Sequence, residues 1–151
     1  MGKIDDLRRR VAEFNTKLEN GLIIQDIIFE NEAYIVDMNA EEQLFEQGIN
    51  RLGVDIMDYA PYSPYTIEIK EMKGQPTNRV TLRDEGDFES SFYLQVSDKQ
   101  FEIKASDFKT EELIKKYGRQ IFGLTDENIE SLIWNYIYPD LLATAKNIIY
   151  G

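Results

Sequence analysis

Three carboxylates crowd one glycine in the middle of the chain: Asp84, Glu85 and Asp87 flank Gly86 in the run Arg-Asp-Glu-Gly-Asp-Phe, residues 83 to 88. Carboxylates beside a glycine turn are ligands of the kind that calcium or magnesium takes. The spacing differs from the twelve-residue EF-hand loop. Turn formation accounts for the same residues, because aspartate side chains hydrogen-bond to nearby backbone amides and cap the residues after them. A turn is therefore expected here, with no metal and no cofactor.

A pair of carboxylates at suitable separation could also hydrolyse a glycoside. Among 28 acidic residues some pair must fall at such a distance, so the signal is nonspecific and a solvated acidic face explains it. A hydrolase would need a concave site and at least one carboxyl whose pKa burial raises. The chain has no histidine, which removes the commonest proton shuttle, the commonest transition-metal ligand and any histidine-based triad. No catalytic residue is assigned, and a non-enzymatic role is expected.

Aromatic residues offer a different chemistry. Tyr59, Tyr62, Tyr65, Trp134, Tyr136 and Tyr138 could stack on a ligand or on bases. Tyr136 reads first as core packing, whereas the Tyr59 to Tyr65 loop suits protein contact, where tyrosine is favoured. Lys70, Lys73, Lys104, Lys109, Lys115 and Lys116 put much positive charge in the middle third. They read either as one pole of a charge-separated subunit that makes head-to-tail contacts or as scattered solubilising charges.

The elements that must position these groups are legible from periodicity. Ile4, Leu7, Val11, Phe14 and Leu18 predict an amphipathic helix over 3 to 19, stopped by Asn20-Gly21. Ile24, Ile27, Ile28, Ile35 and Met38 suit a second, more buried helix, with a strand at 33 to 36 as its competitor. Asn39 followed by Glu42 resembles a helix start, which predicts a third helix to about Leu52, closed at Gly53. Residues 54 to 65 read as a loop. Residues 66 to 73 alternate as a strand does but also permit helical turns, and a short helix is expected.

Leu82 to Phe88 should end a short extended run, with Gly86 at a reversal and Phe88 aimed back at apolar neighbours. Phe92, Leu94 and Val96, then Phe101, Ile103 and Ala105 on the far side of a polar loop at 97 to 100, predict an antiparallel hairpin. Thr110 should cap a helix that turns Leu113, Ile114 and Tyr117 inward and ends at Gly118. A last helix should begin near Asp126 and be kinked or broken at Pro139. The expected class is α+β: helices at both ends packed around a small antiparallel β-hairpin or sheet.

The 151 residues fit a single domain, 1 to 151, able to bury a core without disulfides. With 17 basic and 28 acidic residues the net charge is −11, which works against tight nucleic-acid binding. Absence of cysteine agrees with a reducing compartment without requiring one. No apolar signal segment follows Met1 and no run of about 18 apolar residues exists, so no membrane partner is expected.

Residues 61 to 76, PYSPYTIEIKEMKGQP, and 80 to 92, VTLRDEGDFESSF, resemble the small head-to-tail connector proteins of tailed bacteriophages, the tail-completion or neck proteins. The likeness rests on Gly86, Phe88, Ser91 and the hairpin from Phe92 to Ala105, and spans about residues 40 to 124. Glu85 departs from the threonine or serine common before that glycine, and so does the long C-terminal helix. The resemblance implies a virion structural protein, assembled in the host cytoplasm, forming a homo-oligomeric ring that meets portal or tail neighbours. The hairpin or an adjacent loop would bridge subunits, with Tyr59, Tyr62, Tyr65, Phe88, Phe92 and Phe101 as contact residues. An acidic lumen would then repel passing DNA. The rival readings are an acidic inhibitor or nucleic-acid mimic bound to a basic partner, and a carboxylate-dependent hydrolase.

Overall fold

Residues 2 to 97 and 100 to 151 are described in a computed structural model of the chain, so the expected polar loop at 97 to 100 lies partly outside the described residues. Lys3–Glu19 forms α1, whose polar side is laced by Arg10–Asp6 and Lys17–Glu13 ion pairs four residues apart at 3.0 and 3.1 Å. Gly21 ends it in the left-handed conformation, φ 77°. The second helical stretch is divided at Asn31 into α2, Leu22–Glu30, and α3, Glu32–Asp37, so residues 33 to 36 are helical and the competing strand is absent there. The Asn31 amide donates to Ile27 O at 2.8 Å and to Asp140 at 2.9 Å, which ties the division to the C-terminal helix.

The third helix departs from expectation in kind and extent. Met38–Gln47 is a π-helix closed at Gly48, φ 66°, rather than a helix running to Leu52. Asn39 is not its cap. It is buried, as is Gln43, and both side chains bond to the distant segment 121 to 125. The following loop contains one 3-10 turn, Ile56–Asp58, and gives way at Pro64 to α4, Pro64–Met72, where the Ser63 hydroxyl accepts from the Thr66 amide. Helix therefore prevails in the ambiguous 66 to 73 stretch, with proline at the first turn where no amide is missed.

Residues 82 to 86 form no strand; Leu82 itself takes φ 60°. Gly86 adopts φ 91°, as a reversal needs, and leads into the single turn α5, Asp87–Ser90. Phe92–Ser97 (β1) and Gln100–Ala105 (β2) then pair antiparallel in the register Phe92↔Ala105, Leu94↔Ile103, Val96↔Phe101. The alternation in sequence requires this pairing, because all six apolar residues then share one face. Ser91 locks the base: its hydroxyl donates to Phe88 O and accepts from the Asp107 amide.

Helix α6, Thr110–Tyr117, ends at Gly118 as expected, but Lys109 holds its cap position and the Thr110 hydroxyl instead donates to Asp107 O. Thr125 caps α7, Asp126–Leu132, by accepting from the Asn128 amide. Pro139 neither breaks nor stops the C-terminal helix. The chain widens into π-turns over Ile133–Ile137, so the proline falls in the first turn of α8, Tyr138–Tyr150, where its missing amide is harmless.

The fold is α+β, helices at both ends around a two-stranded sheet. Its core joins Ile35, Leu44, Ile56, Val80 and Ile121 to a ring cluster in which Phe88 meets Phe92 edge-on at 5.0 Å and Phe92 meets Phe122 at 5.1 Å. Among the described residues no helix is long and apolar enough to cross a membrane.

Candidate functional site

The hairpin separates two environments. On the β1 side lies the acidic turn. Its carboxylates do not converge: among the described residues no three acidic side chains stand where they could hold a metal. Asp84 accepts from Lys73 Nζ at 2.8 Å and Gln75 Nε2 at 3.3 Å, and this pairing holds its pKa below the usual value. It caps no backbone amide. Asp87 sits in the first turn of α5, where a negative charge is favoured.

The carboxylate with unusual chemistry is Glu89, which the sequence did not single out. It is 4% exposed, and burial pushes its pKa up to about 7. One oxygen accepts from Arg83 Nε, while Oε1 is buried without a hydrogen-bond partner. Arg83 also donates to Glu41 at 2.5 Å and lies 3.8 Å over the Phe45 ring. A buried carboxyl with a raised pKa is one of the two requirements for a carboxylate hydrolase. Glu89 gives one oxygen to Arg83, keeps Oε1 buried without a partner, and borders a cleft of about 390 Å³ that Glu41, Glu85 and Arg83 also line. The arrangement binds the π-helix, through Glu41 and Phe45, to the turn that feeds β1. Glu41, Arg83 and Glu89 carry no common motif, and only the fold brings them together.

The expected contact residues divide. Tyr65 is 72% exposed and Tyr59 is exposed. Tyr62 is half-buried: its hydroxyl accepts from the Thr81 amide at 3.0 Å and Lys70 Nζ stands 4.9 Å from its ring. Phe88 and Phe92, 3% and 8% exposed, give their surface to the core and present none for a partner, a correction that follows from their place under the hairpin. Phe101 is partly buried and borders a cleft. Trp134 and Tyr138 pair at 5.5 Å on the surface, while Tyr136 turns to Tyr34 at 4.6 Å. The lysines form no single pole: Lys70 is buried, Lys73 is paired with Asp84, and Lys115 and Lys116 lie in the last turn of α6.

On the β2 side a cleft of about 540 Å³ runs along residues 101 to 105. Its far wall is α6 and the turn 119 to 123. That turn is fixed by the two buried amides of the π-helix: Asn39 donates to Ile121 O at 2.9 Å and accepts from the Gly123 amide at 3.0 Å. Gln43 donates to Gly123 O and accepts from the Thr125 amide, both at 2.9 Å. Arg51 is placed by its own amide, which donates to Gln120 O at 2.9 Å. Its stem crosses Gly123, where a Cβ would meet Arg51 Cδ at 2.9 Å and where φ is 117°. Arg51, Lys104 and Arg119 thus line one cleft in an acidic chain, against Glu102 and Glu111. Lys104 approaches Glu102 at 3.7 Å; among the described residues the Arg51 and Arg119 side chains make no ion pair. Sequence reasoning missed both arginines, since 68 positions separate them and no local pattern joins them.

Compared with protein-family models, with curated proteins and with solved structures, the chain matches none.

Proposed function

We propose that the chain is a non-enzymatic assembly subunit, and that its place is the head-to-tail interface of a tailed phage or prophage, where it forms a ring with copies of itself and meets portal or tail neighbours. The observation that carries the assembly reading is the state of the terminal helices. Helices α1 and α8 pack on one another, yet neither contains a fully buried residue. Ile4, Leu7 and Val11 remain exposed at helical spacing, Ile4 by 67%, and Trp134, Tyr138 and Leu142 remain exposed four apart. Rows of apolar residues left to solvent mark surfaces that protein partners cover.

The connector reading draws its support from the segment that carries the resemblance. Gly86 makes the left-handed reversal, Ser91 locks the hairpin base, and Phe88 anchors the hairpin to the core. In a ring, an acidic lumen would keep translocating DNA from sticking. Sedimentation with mass determination of the chain, alone and mixed with its gene neighbours, is the test. A ring or higher oligomer is expected, together with portal, capsid and tail genes alongside. A monomer in every mixture and a neighbourhood free of virion genes would overturn the reading. The lumen charge is tested separately, by reversing acidic residues located on the inner wall of the ring: unimpaired DNA passage would remove that part.

A further inference from the structure

We infer that the open edge of β2 takes an extended, acidic segment of a partner protein as a third strand, lying in the cleft between β2 and the 119 to 123 turn. This deepens the assembly reading, on which the identity of the natural occupant rests.

The main-chain geometry comes first. In an antiparallel pair, hydrogen-bonded and non-hydrogen-bonded residue pairs alternate. The Ser106 amide donates to Ser91 O, extending the ladder one step, while the Leu94 amide donates out of the sheet to Glu32 at 3.1 Å. Leu94 and Ile103 are therefore a non-hydrogen-bonded pair, and so are Phe92 with Ala105 and Val96 with Phe101. On β2 the N–H and C=O groups of Phe101, Ile103 and Ala105 point away from β1. Among the described residues none of them meets another backbone or side-chain partner, and the cleft runs beside all three. A strand edge with unpaired groups is a template for one more strand.

The cleft selects the charge of that strand. Three cations, Arg51, Lys104 and Arg119, face two carboxylates, Glu102 and Glu111, so the lining is net positive by one in a chain of net charge −11. Arg51 is held in place by Gly123 and by Gln120, which removes part of the ordering cost on binding. Alternate side chains of the incoming strand would meet the apolar side, Phe101, Ile114 and Phe122, and the charged rim.

The probe is a labelled seven-residue peptide of alternating valine and glutamate, tested on the intact chain by fluorescence anisotropy beside its valine–lysine counterpart. The acidic peptide is expected to bind roughly tenfold more tightly at physiological ionic strength, where the far field of the acidic chain is screened and the charges lining the cleft decide. Hydrogen exchange should slow at the amides of Phe101, Ile103 and Ala105. Arg119→Glu, at an exposed position, and the double change Arg51→Glu with Arg119→Glu should each reverse the charge preference. Equal binding of both peptides, binding of neither, or protection at other amides overturns the inference. So does a dimer, formed without peptide, in which those three amides are already protected, because the occupant is then a second copy. If the Arg119→Glu chain keeps the native oligomer mass while the acidic peptide fails to bind the native chain, this inference falls and the assembly reading stands. The reverse result, normal peptide binding by a chain that stays monomeric with every neighbour, removes the assembly reading instead.

Discussion

Along β1 the strand is met by the protein itself: the Leu94 amide donates to Glu32 of α3, and at the strand's end the Ser97 carbonyl accepts from Gln25 of α2. Along β2 the outward groups of Phe101, Ile103 and Ala105 look into a cleft bordered by charge. Of the outward groups of β1 only the Leu94 amide is bonded among the described residues, but α2 and α3 pack along that strand. No helix among the described residues packs along β2 to the same extent, so the hairpin has one covered edge and one open edge. The contrast extends to the arginines. Arg83, on the β1 side, is held by Glu41, Glu89 and the Phe45 ring, whereas Arg51 and Arg119, on the β2 side, project without a carboxylate partner among the described residues. Charge on the closed side holds elements together, and charge on the open side is spare.

The largest expected effect tests whether the hairpin is as unequal in packing as it is in hydrogen bonding. Phe92→Ala empties a site between Phe88 and Phe122 and should cost about 3–5 kcal/mol in urea unfolding. Phe101→Ala, at the partly buried edge, should cost less than half as much. Equal losses would mean that the tip of the hairpin is as deeply committed to the core as its base, since across the middle of the sheet Leu94 and Ile103 are buried alike.

Next in size is a pH effect confined to the closed side. Folding raises the Glu89 pKa from 4.5 to about 7, so the native state holds the proton more tightly than the unfolded chain. Its contribution is fully present below pH 4.5 and is lost as pH rises through about 7. The loss is on the order of 3 kcal/mol, because a tenfold difference in proton affinity between the folded and unfolded chain corresponds to about 1.4 kcal/mol. Glu89→Gln should flatten the fall in stability over that window while leaving peptide binding at β2 unchanged. An unaltered slope would show that another group causes it.

The edge cap itself comes third. Glu32→Ala leaves the Leu94 amide without its acceptor and should cost about 1–3 kcal/mol, with faster hydrogen exchange at Leu94 and none of that change at Ile103. If exchange at Leu94 stays slow, solvent or another side chain substitutes and the closed edge is less closed than its geometry implies.

Local signals made the hairpin legible and could not reach its surroundings. Alternation set the register, the glycine at 86 marked the reversal, and apolar spacing with Gly21 and Gly118 bounded α1 and α6. The failures have tertiary causes. Asn39 has the chemistry of a cap, yet the segment 121 to 125 needs partners for its backbone, and Asn39 and Gln43 supply them from inside a π-helix. Pro139 carries a strong local penalty that a widened turn just before it absorbs. Phe88 and Phe92 are as apolar as any contact residue, and nothing in their types tells a buried face from an exposed one. Arg51 and Arg119 become a site only when the turn at 123 brings them together.

The smallest effect is the one that bears most directly on the difference between the edges. Arg119→Gln removes a charge from an exposed side chain that makes no ion pair among the described residues. Its stability cost should fall within about 0.5 kcal/mol, the range of surface changes that disturb no packed or paired group. Arg83→Gln, by contrast, strands the buried Glu89 and should cost several-fold more. The two substitutions remove the same group from the same chain, so unfolding midpoints measured side by side cancel the long-range effect of net charge. A cost above about 1 kcal/mol for Arg119→Gln would mean that the cation supports the 119 to 123 turn. Its availability to a partner strand would then be incidental, and the charge selectivity of the open edge would be a by-product of how that turn is held.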